Sequence, residues 1–398
     1  MMRLLCLGLS VFFCFNLFAR AARPQSGVWR FELEYPSTKI PFVMELEPTR
    51  KGWEATLING RERLELGLAR VEKGVWTYQL QTYQNYLEFT HISAHSIKGF
   101  FVKATSNPVE KVPFTATHGP IHRFDRPQVK ASINLNGKWA MELTSSDGKK
   151  TPAIILFDQA GDTLNASILT PSGDYRYIDG HVTGNEFVAA AFDGVYHFSF
   201  KGKLEGEALT GALAGKSVTT FSAKKDPQAQ LPDPLKQTQI EQVNFKFSDV
   251  LGKEYSLEDF KGKPVVLQIF GSWCPNCIDE LDFLGPWYIQ NKKRGVEIIA
   301  LSFEYAATPE EARRHLKKVI EKRNIPYTVL LAGTSRADKP EDKLPSLKNF
   351  ISFPTTIFLD RNHRVKKVHA GFNGPSTGLY YSEFKAMFEK SINELTED

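Results

Sequence analysis

Residues 263–280 read KPVVLQIFGSWCPNCIDE, and the order of the parts decides the fold around them. A strand-length run, Val265 to Phe270, is apolar at every position except Gln268. Such a run belongs to a strand buried on both faces. Gly271 and Ser272 end it, and the segment beginning at Cys274 has helical character. Downstream the alternation continues. VEIIALSFE (296–304), PYTVLLA (326–332) and TTIFLD (355–360) are further buried strands. Between the first two, Thr308-Pro309-Glu310-Glu311 predicts a helix start, with Thr308 as cap, Pro309 at the first helical position and Glu311 completing a capping box. A tight Arg361-Asn362-His363 turn leads into VKKVHAG, and a closing helix is expected over 382–395. Alternating strands and helices that end in a hairpin predict an α/β domain over 244–398, a central mixed sheet with helices on both faces.

The chain before it is different. Residues 22–226 hold no cysteine and many short β-type runs cut by Gly, Asp and Asn turns, and they repeat. Gly27-Val28-Trp29 matches Gly137-Lys138-Trp139, Gly99 matches Gly211, and Phe114-Thr115-Ala116 matches Phe221-Ser222-Ala223, at offsets of 107 to 112. That drift is what loop-length changes produce in a duplicated module. Turns such as Asp147-Gly148, Gly184-Asn185 and Asp193-Gly194 cut the second copy into about eight runs with short connections, hence an antiparallel meander. Eight such strands most simply close into a small barrel, with a two-sheet sandwich as the alternative. Trp29, Trp53, Trp76 and Trp139 are expected in the cores. The organisation is then a signal segment (1–21), β module 1 (22–118), β module 2 (119–226), a polar, Pro-bearing linker (227–243) and the α/β domain (244–398).

The leader has Arg3, an apolar run from Leu4 to Phe18 and small residues at Ala19 and Ala21. This is the pattern of a secretory signal cleaved near Ala21 or Ala22. The apolar run, about 15 residues, is shorter than the roughly 20 a helix needs to span a bilayer. Cys6 and Cys14 would leave with it, so the mature chain would keep only Cys274 and Cys277, in a periplasmic or otherwise extracytoplasmic, oxidising compartment. No later stretch is apolar enough to span a membrane. The formal charge of +5 is scattered, with no clustered basic face, which argues against nucleic acid.

Two thiols three apart, following a buried strand and opening a helix, are the context in which CxxC carries redox chemistry. Free amides at the helix N-terminus stabilise the thiolate of Cys274 as the attacking nucleophile. Cys277, a turn later and more buried, resolves the mixed disulfide. An inert staple is a poor reading, since so short a loop constrains the unfolded chain weakly. Half a zinc site would need two more ligands of matching spacing, and none is present. The redox-active Cys274–Cys277 disulfide requires no further cofactor and no metal.

On these residues, with FKFSDVLGKEYSLEDFKGKPVVLQIFGSWCPNC, SFPTTIFLD and VKKVHAGF, the domain over 244–398 resembles the TlpA/ResA type of the thioredoxin superfamily, extracytoplasmic thiol-disulfide oxidoreductases. The duplicated β modules lie outside the resemblance. It implies that Phe353-Pro354-Thr355 is a cis-proline loop facing the dithiol, whose backbone pairs with an incoming peptide. Trp273, Pro275, Asn276, Phe353, Pro354 and Thr355 are then the expected substrate contacts. It also implies that Glu280, three residues past Cys277, accepts the proton of Cys277, whereas Gln268 stands where cytoplasmic thioredoxins place a buried Asp. The chain departs from the family at Asp282, which replaces a helix-kinking proline; Gly285-Pro286 is expected to break the helix slightly later. The implied partners are protein disulfides and a membrane electron donor. Two other readings stand beside this one. A peroxidase on the same scaffold would need a Thr where Gly271 stands and a Pro where Leu267 stands. A ligand- or partner-binding protein would make the β modules the working part.

Overall fold

The computed structural model describes residues 23–80, 83–119, 122–232, 239–240 and 242–397. The leader over 1–21 and part of the linker lie outside the described residues. The first module contributes β1 (Gly27–Tyr35), β2 (Thr38–Pro48), β3 (Trp53–Asn59), β4 (Glu62–Leu68) and β5 (Arg70–Glu72). It continues with β6 (Val75–Gln79), β7 (Tyr86–Ile92), β8 (Ser96–Lys103) and β9 (Glu110–His118). Pairing runs β4-β3-β2-β1-β9-β8-β7-β6-β5, so the two ends of the sheet, β4 and β5, are neighbours in sequence. They form one bent strand. Its first half pairs with β3, its second half with β6, and Ala69 between them donates its N–H to Trp53 O at 2.8 Å. Gly67, at φ +76°, opposite a register shift at Ala55/Thr56, supplies the bend, which an L side chain would resist. Counting the bent strand once, the module is a closed eight-stave barrel.

The second module repeats this with β10 (Gly137–Thr144), β11 (Lys150–Ala160), β12 (Thr163–Thr170), β13 (Gly173–Asp174) and β14 (Ile178–Thr183). Then come β15 (Glu186–Phe192), β16 (His197–Glu205), β17 (Ala208–Ala214) and β18 (Val218–Lys225). Here the β11–β12 ladder closes the ring directly and the two-residue β13 stands outside it. Closure leaves no long open edge.

Both interiors are filled by side chains. Phe31, Phe42, Phe89 and Phe114 pack in the first core with Trp29, and Phe157, Phe187, Phe200 and Phe221 in the second with Trp139. The cavity of about 550 Å³ lined by Arg61, Arg123, Asp179 and His181 lies between the barrels, with residues of both in its wall. The barrels are also joined by apolar contact, since Phe192 of β15 stacks on Phe42 of β2 at 4.0 Å. At the same seam the buried Arg123 donates to Pro41 O and Asn59 Oδ1 and pairs with Asp179.

The remaining sheet is built from β20 (Lys246–Asp249), β21 (Glu254–Ser256), β22 (Val265–Phe270), β23 (Glu297–Phe303), β24 (Thr328–Gly333), β26 (Thr355–Leu359) and β27 (Val365–Ala370); the short β19 (Gln239–Ile240) and β25 (Leu347–Lys348) pair apart. Its order is β21-β20-β24-β23-β22-β26-β27, with β22, β23 and β24 parallel and β26 antiparallel to β22. This is the expected mixed thioredoxin-like sheet. The helices α1 (Pro275–Asn291) and α2 (Pro309–Arg323) cross over in the same direction. Right-handed crossovers therefore put both on one face, where Leu281, Leu284 and Leu316 pack with Phe384 and Phe388 of α4 (Leu379–Thr396). The opposite face is covered by lighter pieces, the 3-10 turn Leu257–Phe260 and the four-residue α3 (Pro340–Lys343).

Two local expectations change. Helix α1 runs unbroken through Gly285-Pro286. Pro286 forfeits only one helical N–H bond, and Leu281, Leu284, Trp287 and Tyr288 bury the helix on both sides of it. Thr308 caps α2 as expected, accepting from Glu311 N at 3.2 Å, but the Glu311 carboxylate reaches back to Ala307 N and not to the cap residue.

The duplicated glycines have a common cause. Gly99 pairs with Phe114 and Gly211 with Phe221. A Cβ at Gly99 would lie 1.8 Å from Glu88 O, and one at Gly211 would lie 2.0 Å from Lys201 O, each also under 3.0 Å from its phenylalanine ring. Gly99→Ala and Gly211→Ala should each lower stability by at least about 2 kcal/mol through overpacking, read as a drop in denaturant midpoint. Gly148→Ala, at an open turn, should cost less.

Candidate active site

Strand β22 delivers the chain to Gly271, and the next turn sets the dithiol. Cys274 is the N-cap of α1 at φ −100°, ψ 117°, with Pro275 at the first helical position. Its Sγ accepts the N–H of Cys277 at 3.3 Å. That bond gives one of the free amides at the helix N-terminus a partner. On its other side Cys274 Sγ donates to Phe353 O at 3.5 Å, so the loop of the cis Phe353–Pro354 bond faces the sulfur. Both cysteines are free thiols here.

Cys277 is wholly buried. Burial pushes its thiol well above the usual range, helped by the hydrogen bond and charge of Cys274. The wall behind it holds Glu280, which is also fully buried. Gln268 Nε2 donates to Glu280 Oε2 at 2.6 Å, and Thr356 Oγ1 donates to Oε1 at 2.7 Å. These bonds favour the carboxylate, but desolvation outweighs them and Glu280 is pushed up to about 7. Cys277 and Glu280, three apart on α1, share a helix face. A buried acid titrating near neutrality next to a thiol that resists ionisation is an arrangement for moving a proton between them.

The other expected site residues fall into two groups. Trp273 is half-buried, donates Nε1–H to Phe303 O at 2.8 Å and stacks on Tyr305 at 4.3 Å. Phe353 is half-buried and meets Trp273 edge-on at 5.2 Å. These two line the approach to the sulfur. Pro275, Asn276, Pro354 and Thr355 are buried, so in this arrangement their side chains are covered. Asn276 Nδ2 donates to Phe372 O at 3.2 Å, and Asn276 Oδ1 accepts from Tyr196 of the second barrel at 3.5 Å. Thr355 sits between two ladder neighbours, Ile269 and Ala370, and turns its hydroxyl to Ser352 O.

Several residues at the site came from no motif. Next to Glu280, Asp279 faces the buried guanidinium of Arg176 at 3.0 Å. Arg176 belongs to the second barrel and also pairs with Asp193 of that barrel at 3.1 Å and Glu62 of the first at 2.6 Å. Burial, ahead of that guanidinium's opposing pull, raises Asp279 to about 7. In the sequence Arg176 stands within YRYIDGHV (175–182), a stretch that carries no address for its partners. Before the dithiol, buried Glu304 accepts from Ser272 Oγ at 2.5 Å and Ser272 N at 3.2 Å, and His315 of α2 meets Ser272 Oγ at 2.9 Å. This anchors the turn that presents Cys274.

The chain is similar to known proteins over its C-terminal part. A family model described as Redoxin matches residues 214–382. The thiol-disulfide oxidoreductase ResA of Geobacillus thermodenitrificans is 29% identical over 128 residues, 32% of this chain and 66% of that protein. ResA of Bacillus anthracis is 30% identical over 157 residues, 39% of this chain and 79% of that protein. For the first relatives the chain thus spans just under two thirds of their length, 65 to 66%. Among solved structures, a thioredoxin-family thiol:disulfide interchange protein from Chlorobium tepidum is 20% identical, with 39% of this chain and 96% of that chain covered at a TM-score of 0.30.

Glu280 leaves a signature in stability. Its folded value of about 7 exceeds its usual 4.5, so the native state binds the extra proton in that window. Stability from this group is therefore complete below the ordinary range and lost as pH rises through 7, by up to about 3 kcal/mol. Glu280→Gln should remove that loss: denaturation of both proteins across the window should show the variant gaining on the wild type as pH rises.

Proposed function

The chain belongs to the ResA family of thiol-disulfide oxidoreductases, and on that premise we propose that it is an extracytoplasmic reductase of protein disulfides working through the Cys274/Cys277 dithiol. The observation that carries the reading is the sulfur of Cys274 at the N-cap of α1, held by Cys277 N and facing Phe353 O. The basic, apolar leader supports the compartment.

The exchange is a two-electron transfer in two steps. Cys274 thiolate attacks one sulfur of the substrate disulfide, forms a mixed disulfide and expels the other sulfur as a thiolate, which takes a proton from solvent. Cys277 then gives its proton to the Glu280 carboxylate, and its thiolate attacks Cys274 Sγ. The Cys274–Cys277 disulfide forms, the second substrate sulfur leaves as a thiolate that is protonated in turn, and the substrate is fully reduced. An electron donor at the membrane would return two electrons and two protons to the enzyme. A carboxyl titrating near 7 fits this role, since an acceptor works best near the operating pH.

Two observations bear on the rival readings. A peroxidase on this scaffold needs a Thr at position 271, where even a Cβ would lie 2.3 Å from Trp273 Nε1. Among the described residues the barrel interiors are filled by side chains, and the cavity of about 550 Å³ that a ligand-binding reading would use lies between the barrels.

In an insulin-reduction assay, Cys274→Ser should abolish turnover. Cys277→Ala should instead accumulate a covalent adduct on Cys274 that reducing agent releases, and mass spectrometry of the adduct identifies the substrate. The wild-type rate of resolution should rise with pH through about 7. In Glu280→Gln that inflection should vanish and the rate near neutrality should fall roughly a hundredfold. An unchanged pH profile would remove Glu280 from the mechanism.

A further inference from the structure

A thiolate that exchanges with protein disulfides has to be reachable, because rates depend on access as well as on ionisation. Cys274 is only 6% exposed. Part of the cover comes from the two barrels. In the second, the turn at Gly173 lies directly on the dithiol loop, where a Cβ would be 2.1 Å from Asn276 Nδ2 and 3.1 Å from Phe372 O. Beside it Asp174 accepts from Gly374 N at 2.5 Å and Ser376 Oγ at 3.2 Å, and Tyr196 reaches Asn276. Tyr83 of the first barrel and Val195 of the second pack into the same apolar cluster as both cysteines.

The seam is not built like a permanent core. Tyr83 Oη, Glu62 Oε2 and Arg176 Nε are buried there without hydrogen-bond partners, a cost that closing imposes and opening relieves. One guanidinium, Arg176, answers Glu62, Asp193 and Asp279 with Asp174 close by, and burial raises Glu62, Asp174 and Asp279. Polar, imperfectly satisfied interfaces between domains permit relative motion.

We propose that the barrels are a size filter over the dithiol, latched by Arg176, with Tyr83, Gly173 and Tyr196 as the residues that decide which disulfides reach Cys274. Latched, the site admits small thiol reagents and low-molecular-weight disulfides; protein disulfides react only after the barrels lift away. This rests on Cys274 being the nucleophile of the proposed reductase.

The test compares alkylation of Cys274 in the reduced full-length chain by iodoacetamide and by a maleimide bearing a polyethylene-glycol chain, with glutathione as the unshielded reference. The wild type should discriminate against the bulky reagent at least roughly tenfold more than glutathione does. Glu62→Gln and Tyr83→Ala, which alter only the barrel side, should recover about that factor by raising the open fraction, with a much smaller change toward iodoacetamide. Reduction of insulin should rise in the same variants relative to reduction of oxidised glutathione. Arg176→Met should act more strongly; where it fails to fold, the two milder variants carry the test. Wild-type discrimination equal to that of glutathione, or a ratio unmoved by both variants, overturns the filter. Discrimination that behaves as expected in a protein that reduces neither disulfide supports the filter and overturns the reductase reading instead.

Discussion

A single buried guanidinium connects the three folded parts of this chain. Arg176 projects from the second barrel at a left-handed backbone position, φ +56°, and meets carboxylates from the first barrel, from its own barrel and from the dithiol helix. An arginine can do this because its planar fork presents five donors at once, where a lysine offers a point charge. Removing one partner of a buried pair typically costs about 3–5 kcal/mol, because the remaining charge is stranded. The relative placement of barrels and dithiol therefore depends on Arg176 more than on any one apolar contact between them.

The dithiol itself works by asymmetry between two cysteines one helical turn apart. Cys274 sits at the N-cap of α1 with its sulfur on Cys277 N, while burial pushes the Cys277 thiol well above its usual range. In the proposed exchange that asymmetry sets the order: the first sulfur attacks the substrate, and the second waits until a base can take its proton. Glu280 can be that base because the same burial that keeps Cys277 protonated lifts its own titration to about 7. Gln268 and Thr356 hold the carboxyl in place without titrating in its range.

The cores of the barrels are closed by Phe and Trp side chains, and the barrels meet the dithiol helix through Arg176 and Tyr196. In the proposed filter their effect on the dithiol is positional. Tyr83, Gly173 and Tyr196 stand where an incoming chain would approach, so a module outside the family resemblance bears on what the family's catalytic pair can reach.

The legible part of this protein is the part whose physics is local. A strand-length apolar run, a turn and CxxC specify where Cys274 sits, the helix it caps and the mixed sheet around it, because each depends on residues a few positions apart. The duplicated barrels were legible for a similar reason, since Gly99 with Phe114 and Gly211 with Phe221 repeat one steric solution at one spacing. Asn276 shows where this stops. Beside the reactive cysteine it reads as a substrate contact, yet Tyr196, 80 residues away, closes over it. Asp279 likewise reads as an ordinary helix acid until Arg176, 103 residues away, is brought to 3.0 Å. The sequence by itself determined the placement of the dithiol and the fold that presents it; only the tertiary structure decided how far that dithiol is exposed, because exposure is a property of which distant surfaces meet.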